Sequence, residues 1–181
     1  MGYSVTSAPG SKAWDETYFK THLKVEDTAE DSLIAGYADG AQEWIEQYCG
    51  LKMIRQTVRE TFTGFNRIIP LGVGPIDALV AVEYKLDNVW TAIPIADFSV
   101  DFGFAEECIQ LLPAKTAPSP DKVVNNVRVQ YTVGYTDAAA VPQPLKDAIY
   151  LRATARYTHR ADFSKKYHDA SISLIRPYKR W

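Results

Sequence analysis

The chain has little of what most catalytic and metal sites are built from. Of 181 residues only three are histidines and two are cysteines. His22, His159 and His168 have no partner at metal-ligand spacing, and the nine-residue separation of His159 and His168 suits no common zinc arrangement. Cys49 and Cys108 lie among apolar residues, which predicts buried thiols rather than a disulfide framework. No Ser stands in a nucleophile elbow. Gly72-Val73-Gly74 is followed by Pro75 and opens no helix, which excludes a nucleotide fingerprint. Glu106-Glu107 and Asp97 with Asp101 are the nearest thing to a carboxylate pair, and acids at strand edges are expected to be solvated. No catalytic residue, cofactor or metal is therefore expected.

Long apolar runs are also missing. No stretch of about 18 apolar residues occurs, so no membrane-spanning helix is expected. The first residues lack the basic flank and apolar run of a secretion signal, and the expectation is a protein made and used in a cytoplasm. Met1-Gly2 followed by Thr6 meets the short, common myristoylation pattern only nominally.

What is present is a globular composition, 46% hydrophobic and 12% aromatic, with eleven Tyr and four Trp. The length suits one domain spanning 1–181, with residues 1–12 expected to be a mobile N-terminus. The net charge of −2 conceals a split. From Leu145 to Trp181 nine Lys or Arg face three Asp, a net of +6, while 1–144 holds eleven basic and nineteen acidic residues, a net of −8. The two parts of the chain are expected to meet different partners.

Periodicity places the elements. A short helix is predicted over Trp14–Leu23. The pattern Thr28 to Asp31 resembles a capping box before a helix in which Leu33, Ile34, Tyr37, Ala38, Ala41, Trp44, Ile45 and Tyr48 keep helical spacing to a Gly50 C-cap. Gly36 and Gly40 inside it predict the close approach of another backbone. The middle reads as strands: 58–65, a run through Val80, Val82 and Tyr84, an Asp87-Asn88 hairpin, then Phe98, Val100, Phe102, and Ile109 with Leu111. The polar loop 114–126 is long enough to predict a task beyond connection. Val127, Val129, Tyr131, Val133 and Tyr135 share one face of a half-buried strand. A final helix starts near Leu145 with Pro144 in its first turn. Leu145, Ile149, Ala153 and Tyr157 form its apolar stripe, and Arg152, Arg156 and Arg160 run beside it as a candidate contact with a neighbouring subunit or partner. The fold class is α+β: N-terminal helices and a C-terminal helix packed as a small bundle, with an antiparallel β-rich middle. The Trp44 helix is expected to pack on the Leu145–Arg160 helix, with a cost of roughly 3–5 kcal/mol for Trp44→Ala as a core change.

The chain closes on Leu174-Ile175-Arg176-Pro177-Tyr178-Lys179-Arg180-Trp181. Pro177 predicts an extended tail over 174–181, with Tyr178 and Trp181 as anchors and Arg176, Lys179 and Arg180 as charges. Trp, Tyr and Arg dominate interface hot spots, which makes this a candidate docking element. Deleting Ile175–Trp181 would then leave the melting temperature unchanged. In the other reading the tail folds back and caps its own core.

Taken in order, the stretches 18–50, "VQYTVGYTDAAAVPQPLKDAIYLRATARYTHR" and "LIRPYKRW" resemble head–tail connector (adaptor) proteins of long-tailed bacteriophages, prophages and gene transfer agents. Val141-Pro142 to Ile149 carries most of the resemblance, and 65–115 carries none. The resemblance implies a structural virion protein of the neck, not an enzyme. It implies a ring of about twelve subunits, closed by symmetry, below the portal. The ring would extend the DNA channel and offer a platform for tail attachment. The implied partners are the portal ring, neighbouring copies, and a stopper or tail-completion protein, and the tail residues Arg176, Pro177, Tyr178, Lys179, Arg180 and Trp181 are the candidate contact with the portal. Genomic duplex DNA would pass through without sequence-specific binding, and assembly would take place in the host cytoplasm. Two other readings are another neck or tail-completion component and a small enzyme with a dispersed site. A mass measurement separates the last, since a connector forms rings or binds a portal ring.

Overall fold

The computed structural model describes residues 2–101, 107–159 and 165–180, without the side chains of 165–168. Its order is β1 (Tyr3–Ser7), α1 (Glu16–Leu23), α2 (Asp31–Cys49), β2 (Gln56–Phe62), β3 (Ile68–Pro70), β4 (Ile76–Leu86), β5 (Val89–Ile93), β6 (Phe98–Asp101), β7 (Cys108–Leu111), β8 (Val127–Val133), α3 (Gln143–Thr158) and α4 (Lys165–Ile175). This is the α+β class expected. The residues cluster into two compact units, one of 1–10 with 55–134 and one of 11–54 with 135–181.

The first unit is all β. Five antiparallel strands run β1-β2-β8-β4-β5, and a second sheet runs β3-β7-β6. The alternation in β8 does what its period requires: Val127, Val129, Tyr131 and Val133 are buried and the residues between them are half-exposed. They meet Val58, Ile76 and Val82 of the first sheet and Ile69, Ile109 and Leu111 of the second in one core. Asp87 and Asn88 both adopt positive φ, 50° and 64°, the conformation of a two-residue hairpin turn. The polar loop has its task here: the Asp121 carboxylate accepts the Asp87 and Asn88 backbone N–H groups at 3.0 and 2.9 Å, clasping the hairpin tip. Phe102 lies outside the described residues.

The N-terminal residues differ from the expectation of a mobile segment. Tyr3–Ser7 pairs antiparallel with β2 as an edge strand, and all five of its side chains are exposed. Backbone pairing and the Thr6 hydroxyl, which donates to the Thr57 carbonyl at 3.1 Å, hold it without a buried apolar face.

The second unit is helical. Phe19, Ile34, Ala38, Ala41, Ile45, Leu145, Ile149, Ala153 and Ile175 form its core, and α3 packs on both α2 and α4. Asp15 caps α1 by accepting the Tyr18 N–H at 2.6 Å. Gly50 ends α2 in the left-handed region, φ 68°. The capping box does not form. Glu30 is the N-cap and makes no side-chain capping bond, its carboxylate accepting instead from the Tyr157 hydroxyl, and Asp31 turns to Lys20, 2.5 Å away. Pro144 lies in the first turn of α3, as predicted. No described helix is long and apolar enough to cross a membrane.

Candidate partner-contact surface on the helical unit

Spacing of four residues puts Arg152 and Arg156 on one side of α3. Their environments differ sharply. Arg152 is 7% exposed. Its guanidinium carbon lies 3.4 Å from the centre of the Trp44 ring, and Nη1 donates to the Ser171 hydroxyl of α4 at 3.1 Å. Burial, followed by the charge of Arg156, pulls its pKa down to about 10, which leaves it cationic at neutral pH. Arg156 is exposed at the last turn of the helix, where a cation complements the carbonyl end of the helix dipole. Arg160 lies outside the described residues.

Trp44 belongs to this polar edge more than to the core. It is half-buried, stacks on Tyr48 with ring centres 4.9 Å apart, and carries Arg152 on its face. The packing of α2 on α3 is as expected, but the central residues of that contact are Ala38, Ala41, Ile45, Ile149 and Ala153. The predicted backbone approach at Gly36 and Gly40 is corrected likewise. A Cβ on Gly36 would meet nothing, and one on Gly40 would lie 3.2 Å from Arg156 Nη1, so a guanidinium and not a backbone occupies that space.

The C-terminal tail is wound, not extended. Arg176–Tyr178 continues α4 as a 3-10 turn, and Pro177 falls in its first two positions, where a missing N–H costs no hydrogen bond. Ile175 is fully buried, Tyr178 packs on the helical core, and the Arg180 N–H donates to the Cys49 carbonyl at 3.1 Å. Lys179 Nζ sits 5.0 Å from the centre of the Tyr48 ring. The side chains of Arg176, Pro177 and Lys179 are exposed on this anchored turn, and Trp181 lies outside the described residues. The tail thus caps its own core, the second of the two expected arrangements, while still presenting charge outward.

Sequence reasoning missed the burial of three carboxylates, one in the helical unit and two in the β unit. In the helical unit, Glu46 is 7% exposed and binds Lys52 Nζ at 2.9 Å, the Met53 N–H at 3.0 Å and Gln42 Nε2 at 3.1 Å, fixing the chain as it leaves α2. In the β unit, Glu60 and Glu107 are both buried and accept the Gly72 and Ile76 N–H groups at 3.2 Å. Glu107 is therefore not the solvated acid expected. Burial raises the pKa of Glu60 against the lowering pull of the Gly72 N–H and the Tyr131 hydroxyl. Burial, with Glu60 next, raises that of Tyr131. The one signal available for Glu60 was its place between Val58 and Phe62 on the inner face of a strand.

The remaining polar candidates have structural duties. Asp97 pairs with Lys115 at 2.7 Å, His22 stacks on Phe19, and burial raises the Cys49 thiol to about 11. Glu106 and the His168 side chain lie outside the description. Among the described residues no group of three or more His, Cys, Asp and Glu is placed to hold a metal ion.

The chain is α+β with a cationic face on its helical unit, and known proteins resemble it in part of its sequence and in its fold. Residues 17–84 match the model of the Phage gp6-like head-tail connector protein family, so the resemblance to head–tail connectors read from the sequence is shown. Three solved structures share the fold over the whole chain. The neck of an empty gene transfer agent (GTA) particle, computed with C6 symmetry, contains a chain 21% identical, with TM-score 0.85, covering 100% of this chain and 96% of that one. The virion of a native GTA particle gives the same values. The neck of a native GTA particle, computed with C12 symmetry, gives 20% identity, TM-score 0.83 and the same coverage. No curated protein sequence matches.

Proposed function

We propose that this chain is a structural subunit of a virion neck, a head–tail connector that forms a ring below the portal, prolongs the DNA channel and gives the tail its attachment platform. The observation that carries the reading is the full-length likeness in fold to chains of GTA necks together with the connector-family match over 17–84. Its partners in this reading are the portal ring, further copies of itself and a stopper or tail-completion protein. Assembly takes place in the host cytoplasm. No active site is required, and none is assigned.

The charge split supports the same role. A net of −8 over 1–144 gives duplex phosphates no counter-charge to stick to, as a channel for sliding DNA requires. The basic residues are left for protein contacts: Arg152 and Arg156 on α3, with Arg160 beyond, and the turn bearing Arg176, Pro177, Tyr178, Lys179 and Arg180, with Trp181, for the portal. A place one level further on, in tail completion, draws on the same fold likeness. Negative-stain imaging of the chain mixed with its portal separates the two. A ring seated on the portal supports the connector, and a chain that ignores portals but joins filled, connector-bearing heads belongs at the next level. A chain that does neither and stays a monomer overturns the neck reading.

A further inference from the structure

We propose that the cleft of about 180 Å3 lined by Gly40, Ala41, Trp44, Arg152 and Arg156 receives a carboxylate side chain from a second copy of this chain. The inference rests on the ring-forming reading above and names the partner chemistry of one of its surfaces.

The cleft is built at some cost to the isolated subunit. Gly40 lies in the middle of α2, where glycine is less favourable than alanine. Nothing in the backbone geometry of a helix demands it. What it provides is room: the Arg156 guanidinium lies 3.2 Å from where a Cβ would stand. One turn further along α2, Trp44 supports Arg152, which Ser171 holds from the other side. Two guanidiniums are thus held near each other although their charges repel, and the pKa of Arg152 is lowered by burial first and by the charge of Arg156 second. Among the described residues Arg156 enters no ion pair. A pair of forked donors beside an aromatic wall is suited to one planar carboxylate.

Size and exposure select among anions. Small-molecule sites usually hold about 300–1,000 Å3, so a cleft of about 180 Å3 takes one side chain rather than a cofactor. Binding a DNA backbone needs several exposed cations in a row, whereas here one of the two arginines is buried. The supply of carboxylates is the acidic bulk of the same chain, net −8 over 1–144. A basic cleft meeting a different, acidic surface of an identical copy is a head-to-tail contact, and such contacts close into rings when the rotation permits.

Sedimentation of the full chain at low and high salt tests the proposal, with Arg156→Glu, Gly40→Ala and the equal charge change Lys122→Glu as an exposed control. Wild type should self-associate at sub-millimolar concentration and dissociate as salt is added. Arg156→Glu should weaken association about tenfold or more, Gly40→Ala by a smaller factor, and Lys122→Glu hardly at all. Arg156→Gln, which adds no negative charge, should weaken it too with an unchanged melting temperature. A wild type that stays monomeric at low salt, or equal weakening by Arg156→Glu and Lys122→Glu, overturns the proposal. So does an Arg156→Glu variant that loses affinity for duplex DNA while keeping self-association. Imaging keeps the two readings apart. Arg156-independent association of a chain still found in particle necks sinks this inference alone. Arg156-dependent association of a chain absent from necks sinks the neck reading alone.

Discussion

Arg152 rests on Trp44. The guanidinium carbon is 3.4 Å from the ring centre, so the contact joins α3 to α2 through a cation and a π-face while Ser171 ties the same side chain to α4. The indole is half-buried, so its removal should cost less than a core change.

For Trp44→Ala we therefore expect a loss of about 2 kcal/mol in urea unfolding, below the range for a fully buried tryptophan. A double-mutant cycle with Arg152→Met should give a coupling of about 1–2 kcal/mol. Additive losses would show that the two side chains do not support one another.

Glu46 is the stronger lock. Its carboxylate holds Lys52 and the buried Met53 N–H, with the glutamate and lysine side chains 7% and 12% exposed. Glu46→Ala should cost about 3–5 kcal/mol, the usual result of breaking a buried pair from one side. Glu46→Gln, which keeps an acceptor for Met53, should cost less. Equal losses in chemical denaturation would mean that the charge carries the whole effect.

Glu60 works against the fold at neutral pH. Its folded pKa lies above the ordinary value of 4.5, so the native state holds its proton more tightly than the unfolded chain does. The stability it contributes is fully present below the unfolded pKa and is lost as pH rises through the folded one. Glu60→Gln retains an acceptor for the Gly72 N–H and should raise the melting temperature at pH 7, with the gain shrinking as pH falls through the raised folded pKa toward the ordinary 4.5. A gain that stays constant across that range would refute the assignment.

In the tail, packing and the proposed docking fall on different side chains. Tyr178→Ala should lower the melting temperature because Tyr178 packs on the helical core. Deleting Ile175–Trp181 should lower it further, since Ile175 is fully buried and its loss alone costs roughly 2–5 kcal/mol. Arg176→Glu with Lys179→Glu should leave melting within a degree or two and abolish assembly on portal rings. Charge reversal without effect on assembly would move the docking surface elsewhere.

Duplex DNA at physiological salt should bind the isolated subunit no more tightly than about 10⁻⁴ M, the weak end of non-specific affinity. Sub-micromolar, steeply salt-dependent binding would contradict the division between an acidic body and protein-facing cations.

Legibility followed from how strongly each segment is one-sided. The β8 strand and α2 could be read because burial on one face imposes a period on Val127–Val133 and on Ile34, Ala38, Ala41 and Ile45. The hairpin at Asp87-Asn88 could be read because few residue pairs tolerate two positive φ angles. β1 could not, since all its side chains face solvent and only its partner strand defines it. The partition of seven further strands between two sheets rests on long-range pairing such as Ile69 with Ile109, which no local pattern encodes. At the candidate surface, the spacing of Arg152 and Arg156 was visible but their unequal burial was not. Nor was the tail's turn, because Pro177 permits both a 3-10 start and an extended strip.

The β segment between 55 and 134 begins and ends on neighbouring strands, with Gln56 opposite Val133. Just outside it, Tyr135 donates its N–H to the Met53 carbonyl at 3.3 Å within the helical unit. The whole segment is thus an insertion whose two ends already touch. Replacing 55–134 by a link as short as that contact would leave the four helices and their closing turn in register, and would leave β1, which precedes α1 in the chain, without the strand it pairs with.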